Sequence, residues 1–252
     1  MLSFGAGVLY GIQLTDAAGV AVSNPTPVQF GVIQDIQGDL SFEEKMLYGA
    51  NQFPVAYGRG KGKLEFKAKF ANINGQIMGD LFLGNGSNAG IKGVVNNLAA
   101  AVPGVSAYTI TPTPPSSGTV VTDLGVTNAT TGVPLKKVAS GPTTGQYSYS
   151  AGVWTFAAAD ASMAVLISYE YTASSTTAKY GNFSNQLMGY APAFGCRLSV
   201  PYNGKQLTLS LTTCYSSKLS LPFKNDDFAI PDFGFQAIAD ASGSMGYWAT
   251  SD

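Results

Sequence analysis

Residues Lys63-Leu64-Glu65-Phe66-Lys67-Ala68-Lys69-Phe70 alternate charged and apolar side chains without a break. Successive side chains of an extended chain point to opposite faces. Leu64, Phe66, Ala68 and Phe70 therefore share one face, and Lys63, Glu65, Lys67 and Lys69 the other. A helix would scatter the same residues around its circumference, so the period of two predicts a strand with one face buried. Upstream, Asp39 to Leu47 reads as a second strand, and Val28 to Ile36 as a third. Between Tyr48 and Gly62 lie Gln52-Phe53-Pro54-Val55 and the glycine-laced Gly58-Arg59-Gly60-Lys61-Gly62. That stretch is expected to be a long loop, and such loops in compact domains are usually functional or disordered.

A second constraint comes from Asn203-Gly204, which sits between two alternating apolar runs and signals a two-residue hairpin turn. The turn fixes a register in which Val200 faces Leu207, Leu198 faces Leu209 and Cys196 faces Leu211. A one-residue slip would move the whole apolar set to the wrong face. The same register places Cys214 opposite Ala193, on the other face from Cys196, unless a bulge intervenes. Both cysteines then read as small buried hydrophobes and no disulfide is expected.

Residues 1–27 are mostly small and read as an extended arm ending at Pro25-Thr26-Pro27. Asn72 to Leu83 carries helical spacing at Ile73, Ile77 and Leu81, with Asn72 or Asn74 to cap its start and Gly84 its end. Thr111-Pro112-Thr113-Pro114-Pro115-Ser116-Ser117-Gly118 reads as a stiff linker. Beyond it, strands are expected at 119–121, 135–139, 146–150, 153–157 and 164–171, forming a small all-β module over 112–178. The expected fold is mainly β: an antiparallel barrel or sandwich over 28–111 and 179–252 with one short helix, plus that module.

Charged residues are 12% of the 252, about half the ~25% of ordinary soluble domains. Aromatics are plentiful and the net charge is only −1, so disorder does not explain the deficit. Interface cores are depleted in charge, which suits a subunit with neighbours on several sides. Fourteen basic residues against fifteen acidic ones leave no surplus for neutralising phosphates, as a dedicated DNA binder needs. No run of 18 apolar residues exists to span a membrane. Met1 to Tyr10 lacks the basic start of a signal peptide, so synthesis in a cytoplasm is expected.

Histidine is absent, which removes the commonest general base, the commonest metal ligand and the Ser-His and Cys-His dyads. Glu43 and Glu44 are adjacent strand residues pointing to opposite faces, unlike a glycosidase pair. Gly58 to Lys63 lacks the Ser/Thr and helix of a phosphate-binding loop. Asp226, Asp227 and Asp232 do not have the spacing of a calcium-binding EF-hand loop. No enzyme, metal or cofactor is expected. Lys61, Lys63, Lys67 and Lys69 read as a basic strip, either solvated or paired across a subunit boundary with acids such as Glu43, Glu44, Asp226 or Asp227.

Lys45-Met46-Leu47-Tyr48-Gly49, then Gln52-Phe53-Pro54-Val55, then Gly60-Lys61 before the Lys-rich strand, and a helix running into Asp80-Leu81-Phe82-Leu83-Gly84 follow one another in order. This stretch resembles the tail tube proteins of long-tailed bacteriophages. Asp226-Asp227-Phe228-Ala229-Ile230-Pro231-Asp232-Phe233-Gly234-Phe235-Gln236-Ala237 is similar to the same group. The resemblance implies hexameric rings stacked into a hollow virion tube, through which double-stranded DNA passes into the host without specific binding. It also implies partners among the tape measure, terminator and baseplate or tip proteins, and no membrane. Near-neutral charge suits a wall along which DNA must slide. Contact candidates are the 1–27 arm, the 48–62 loop, and the residues Phe53, Pro54, Arg59, Lys61, Lys63, Lys67, Lys69, Glu43, Glu44, Asp226 and Asp227. The alternative is a monomeric β adhesive, carbohydrate-binding or virion decoration module, with exposed aromatics in 146–171 as its platform.

Overall fold

A computed structural model describes residues 5–72 and 74–251. Two compact units are formed, Met1–Ser87 with Gly181–Asp252, and Asn88–Tyr180. The first unit begins with β1 (Val8–Gln13), β2 (Val28–Gln29), β3 (Ile33–Tyr48), β4 (Pro54–Phe70) and a helix (Ile77–Leu83). The second contains β5 (Asn88–Ala89), β6 (Ile91–Ala101), β7 (Thr109–Ile110), β8 (Thr119–Asn128), β9 (Lys136–Val138), β10 (Gln146–Ser150), β11 (Val153–Phe156), β12 (Ala164–Ala173) and β13 (Lys179–Tyr180). The chain then returns to the first unit with β14 (Ala193–Tyr202), β15 (Lys205–Ser220), β16 (Asp232–Ile238) and β17 (Gly246–Thr250).

In the first unit one antiparallel sheet runs β2-β1-β14-β15-β16-β4-β3, with β17 also on β15. Its two ends do not meet, so of the expected barrel or sandwich the closed barrel is not formed. The alternation in β4 works as read: Phe66, Ala68 and Phe70 are buried while Lys63, Glu65, Lys67 and Lys69 are exposed. The buried face gathers a phenylalanine cluster, with Phe233 5.4 Å from Phe30, 5.9 Å from Phe194 and 5.8 Å from Phe235. Each such ring contributes about 1.5–3 kcal/mol by leaving water.

The expected 1–27 arm instead contributes a strand, Val8–Gln13, to this sheet. β1 pairs with β14 along its length and with β2 on its other side, and Leu9 is fully buried. Met1 to Phe4 lie outside the described residues. The small residues that suggested flexibility have a packing reason. A Cβ on Gly11 would collide with the Leu81 side chain, so glycine lets the helix lie directly on the strand backbone. The helix is π-type, with the Gly84 N–H donating to the Gly79 carbonyl and Gly84 ending it in the left-handed conformation. Asn74 Oδ1 accepts from the Gln76 N–H at 2.9 Å; Ile73, placed in the expected helical spacing, lies outside the described residues.

The β14–β15 hairpin has the expected pairs Val200–Leu207, Leu198–Leu209 and Cys196–Leu211. A bulge beyond Cys196 then sets Cys214 opposite Phe194 rather than Ala193. The shift turns Cys214 into the core, where it and Cys196 are buried free thiols. Burial pushes both thiols up, Cys214 to about 12.

The second unit is wider than the expected 112–178 module. β6 forms a three-stranded sheet with β12 and β8, and the β7-β11-β10-β9 sheet packs on it through Trp154, Tyr147, Phe156, Val126, Ile167 and Tyr169. The 111–118 segment is consequently a connection inside the sandwich, from β7 to β8, and not an interdomain linker. β9 and β10 pair in parallel. β5 and β13 pair with each other, so the chain enters and leaves this unit as neighbouring strands.

One buried carboxylate ties that sandwich together. Asp123, its side chain 1% exposed, accepts from Tyr147 Oη and Trp154 Nε1 at 2.9 Å each, from Lys137 Nζ at 2.9 Å and from the Gly125 N–H at 3.1 Å. Burial alone would raise its pKa, but these four donors hold it below the ordinary 3.8. Burial and the neighbouring carboxylate push the Tyr147 phenol up, keeping it a donor.

Two outcomes follow from this packing. A carboxylate depressed by folding stabilises the native state above its unfolded pKa, and that contribution drains as pH falls below 3.8 toward the folded value. Asp123→Asn should cost about 2–3 kcal/mol at neutral pH and flatten this acid dependence, measured by urea unfolding of a Trp248→Phe background that leaves Trp154 as reporter. A thiol reagent should find neither cysteine in the native protein and both after denaturation.

Candidate functional site

β3 and β4 are far longer than the rest of their sheet. β16 supports β4 only from Leu64 to Lys69, whereas β3 pairs with β4 from Phe70 back to Pro54. Residues 41–63 therefore continue as a two-stranded ribbon, and the expected 48–62 loop shrinks to a short turn after Tyr48. β3 ends the sheet, so its outer edge has no partner strand among the described residues. Isolated ribbons are marginal in water, and open edges invite other strands.

The ribbon's sides explain what it can bind. Directly paired residues share a face, so the core face of β4 continues onto the ribbon through Leu40–Leu64 and Phe42–Gly62. A bulge between Phe42 and Glu44 inserts an extra residue in β4 and reverses its facing. Beyond it, Glu44–Arg59 and Met46–Tyr57 occupy the Phe42 side. The apolar stripe thus outruns its own core. Leu40 is 63% exposed, and Phe42, Met46, Tyr48, Val55, Tyr57 and Phe53 are exposed as well. Glu44 and Arg59 interrupt this stripe between Phe42 and the Met46–Tyr57 pair.

The polar face is balanced by charge within the chain. Lys69 lies between Asp35 and Asp232, Glu65 between Asp39 and Gln236, and Lys67 between Gln37 and Gly234. Lys63 Nζ lies 3.4 Å from Glu65 Oε1. The strip that reads as basic along one strand is therefore a mixed-charge surface once its neighbours are in place. Lys61, Lys67 and Lys69 make no ion pair among the described residues.

The other candidates divide into two places. Phe53 stands at the ribbon tip, Pro54 begins β4 opposite Tyr48, Glu43 sits at the bulge, and Arg59 stacks its guanidinium 4.8 Å from the Phe42 ring. Asp226 and Asp227 lie apart from these, exposed in the β15–β16 connection. Neighbouring Phe223 and Phe228 are exposed with them. The exposed apolar residues of β3 and β4 were missed by the sequence reading. Their signal was strand length, since a 16- and a 17-residue strand exceed the 3–10 that a domain core usually pairs. The aromatic platform envisaged in 146–171 is not exposed: Tyr147, Trp154, Phe156 and Tyr169 are core residues.

No family model matches this chain, and a search of curated proteins finds no match.

Because the ribbon touches so little of its own unit, replacing residues 43–61 with Asn-Gly should change unfolding free energy by less than about 1 kcal/mol. Phe233→Ala, in the core, should cost about 3–5 kcal/mol. Urea denaturation of both variants checks the contrast.

Proposed function

We propose that the chain is a structural subunit that associates with copies of itself into rings stacking as a hollow tube, of the kind found in phage tails. The observation that carries this reading is the projecting β3–β4 ribbon, with an exposed apolar stripe and open edges. A chain that stayed monomeric would keep that surface in water at a cost in solubility, whereas burial against a neighbour satisfies both stripe and edges. The resemblance of residues 38–84 and 226–237 to tail tube proteins points the same way. Head-to-tail contacts that close give rings, and stacked rings grow as filaments. On this reading the protein is not an enzyme; its work is a bore that passes double-stranded DNA without holding it. Other tail proteins would meet the ends of the tube, and the virion is its place. The mixed-charge sheet face suits sliding, because it offers no net positive field to phosphates.

No helix among the described residues is long and apolar enough to cross a membrane.

Negative-stain microscopy and light scattering at rising concentration test the proposal. Rings or tubes are expected from the unaltered chain, and single subunits from the variant whose residues 43–61 are replaced by Asn-Gly. Single subunits from the unaltered chain at about 100 μM, a concentration ample for micromolar contacts, would reject it.

A further inference from the structure

Past Leu64 and Ile238 the first unit's sheet forks. β16 and β17 lie along the same side of β15, whose other side is taken by β14. β4 pairs with β16 as far as Leu64 and then runs on paired with β3 alone, and β17 pairs with β15 alone. The topology therefore leaves two unpaired strand edges on the same side of β15, one from Pro54 to Lys63 and one from Gly246 to Thr250. Near the root is a depression of about 390 Å³ bordered by Phe42, Glu43, Lys61, Lys63 and Gln236. An added strand could continue the backbone ladder from either edge.

The chemistry of the two edges selects the occupant. Pro54 to Lys63 carries Arg59, Lys61 and Lys63 and no acid, and β17 is uncharged with Tyr247 and Trp248 exposed. Glu43 and Glu44 belong to the neighbouring strand β3, with Glu44 opposite Arg59 and Glu43 on the border of the depression. A matching segment should be extended, acidic and aromatic. Residues 221–231 join β15 to β16, adjacent antiparallel strands that need only two to five residues between them. This connection has no regular structure, and within it Phe223-Lys224-Asn225-Asp226-Asp227-Phe228-Ala229-Ile230 exposes both phenylalanines and both aspartates. Prolines 222 and 231 bound a stretch whose own residues can all donate hydrogen bonds.

We propose that the fork of one copy receives the Phe223–Ile230 segment of a second copy as an added strand, with Asp226 and Asp227 set against Arg59 and Lys61. The proposal rests on the self-assembly reading and names its contact. The contact is head-to-tail, since fork and segment are different parts of the chain.

Charge exchange tests it. Arg59→Glu/Lys61→Glu and Asp226→Lys/Asp227→Lys should each fold, by circular dichroism, and each alone should need at least about tenfold more protein to assemble. An equimolar mixture should recover, because each variant's fork then matches the other's segment. Assembly of either variant as in the unaltered chain, or no recovery in the mixture of folded variants, overturns the proposal. A labelled peptide of residues 221–231, titrated into the chain below its assembly concentration, separates this contact from the ring reading. Peptide binding that Arg59→Glu/Lys61→Glu abolishes, in a chain that never assembles, keeps the fork contact and rejects the rings. Tubes without peptide binding keep the rings and reject the contact.

Discussion

β4 is supported on both sides for only the part of its length that β16 can reach. From Leu64 to Phe70 it is an interior strand with a phenylalanine-lined face, and its burial anchors β3, β16 and the helix-covered core. From Pro54 to Lys63 it is one half of a ribbon. The same strand therefore fixes the fold of the first unit and extends chemistry beyond it. The bulge near Gly60 matters to both roles. It lets Arg59 and Tyr57 join Phe42 and Met46 on the side that the core face began.

Charge on this protein is arranged in pairs and rows instead of patches. Asp35, Lys69 and Asp232 form one cross-strand row, so acids flank Lys69 on both sides, whereas Lys67 lies between Gln37 and Gly234. Such a face is soluble and weakly adhesive, which is compatible with a conduit wall. The second unit uses charge differently. Asp123 is buried, and desolvating it is tolerable only because Lys137, Trp154, Tyr147 and Gly125 all donate to it. There the carboxylate organises aromatic side chains that a surface-binding module would have displayed.

The open sheet sharpens the functional reading. A closed barrel would have no edges and little reason to associate; an open sheet whose end strand is 16 residues long has a continuous row of unpaired backbone groups. On the proposed reading those groups, the apolar stripe and the fork are three aspects of one incomplete surface.

Local pattern was enough for much of this architecture. The alternation of Lys63 to Phe70, the Asn203-Gly204 turn with its register, the strands of 146–157 and the Gly84 helix end all follow from side-chain period and turn chemistry, which act over a few residues. Long-range pairing decided the rest. β1 became an interior strand because β14 and β2 flank it and Gly11 admits Leu81. The Cys214 facing changed because one bulge added a residue to β15. The 48–62 stretch became ribbon because β3 offers it a ladder, and Asp123 became a hub because Lys137, Tyr147 and Trp154 converge from three separate strands or their ends. None of these depends on nearby sequence, and only the folded chain brings the partners together.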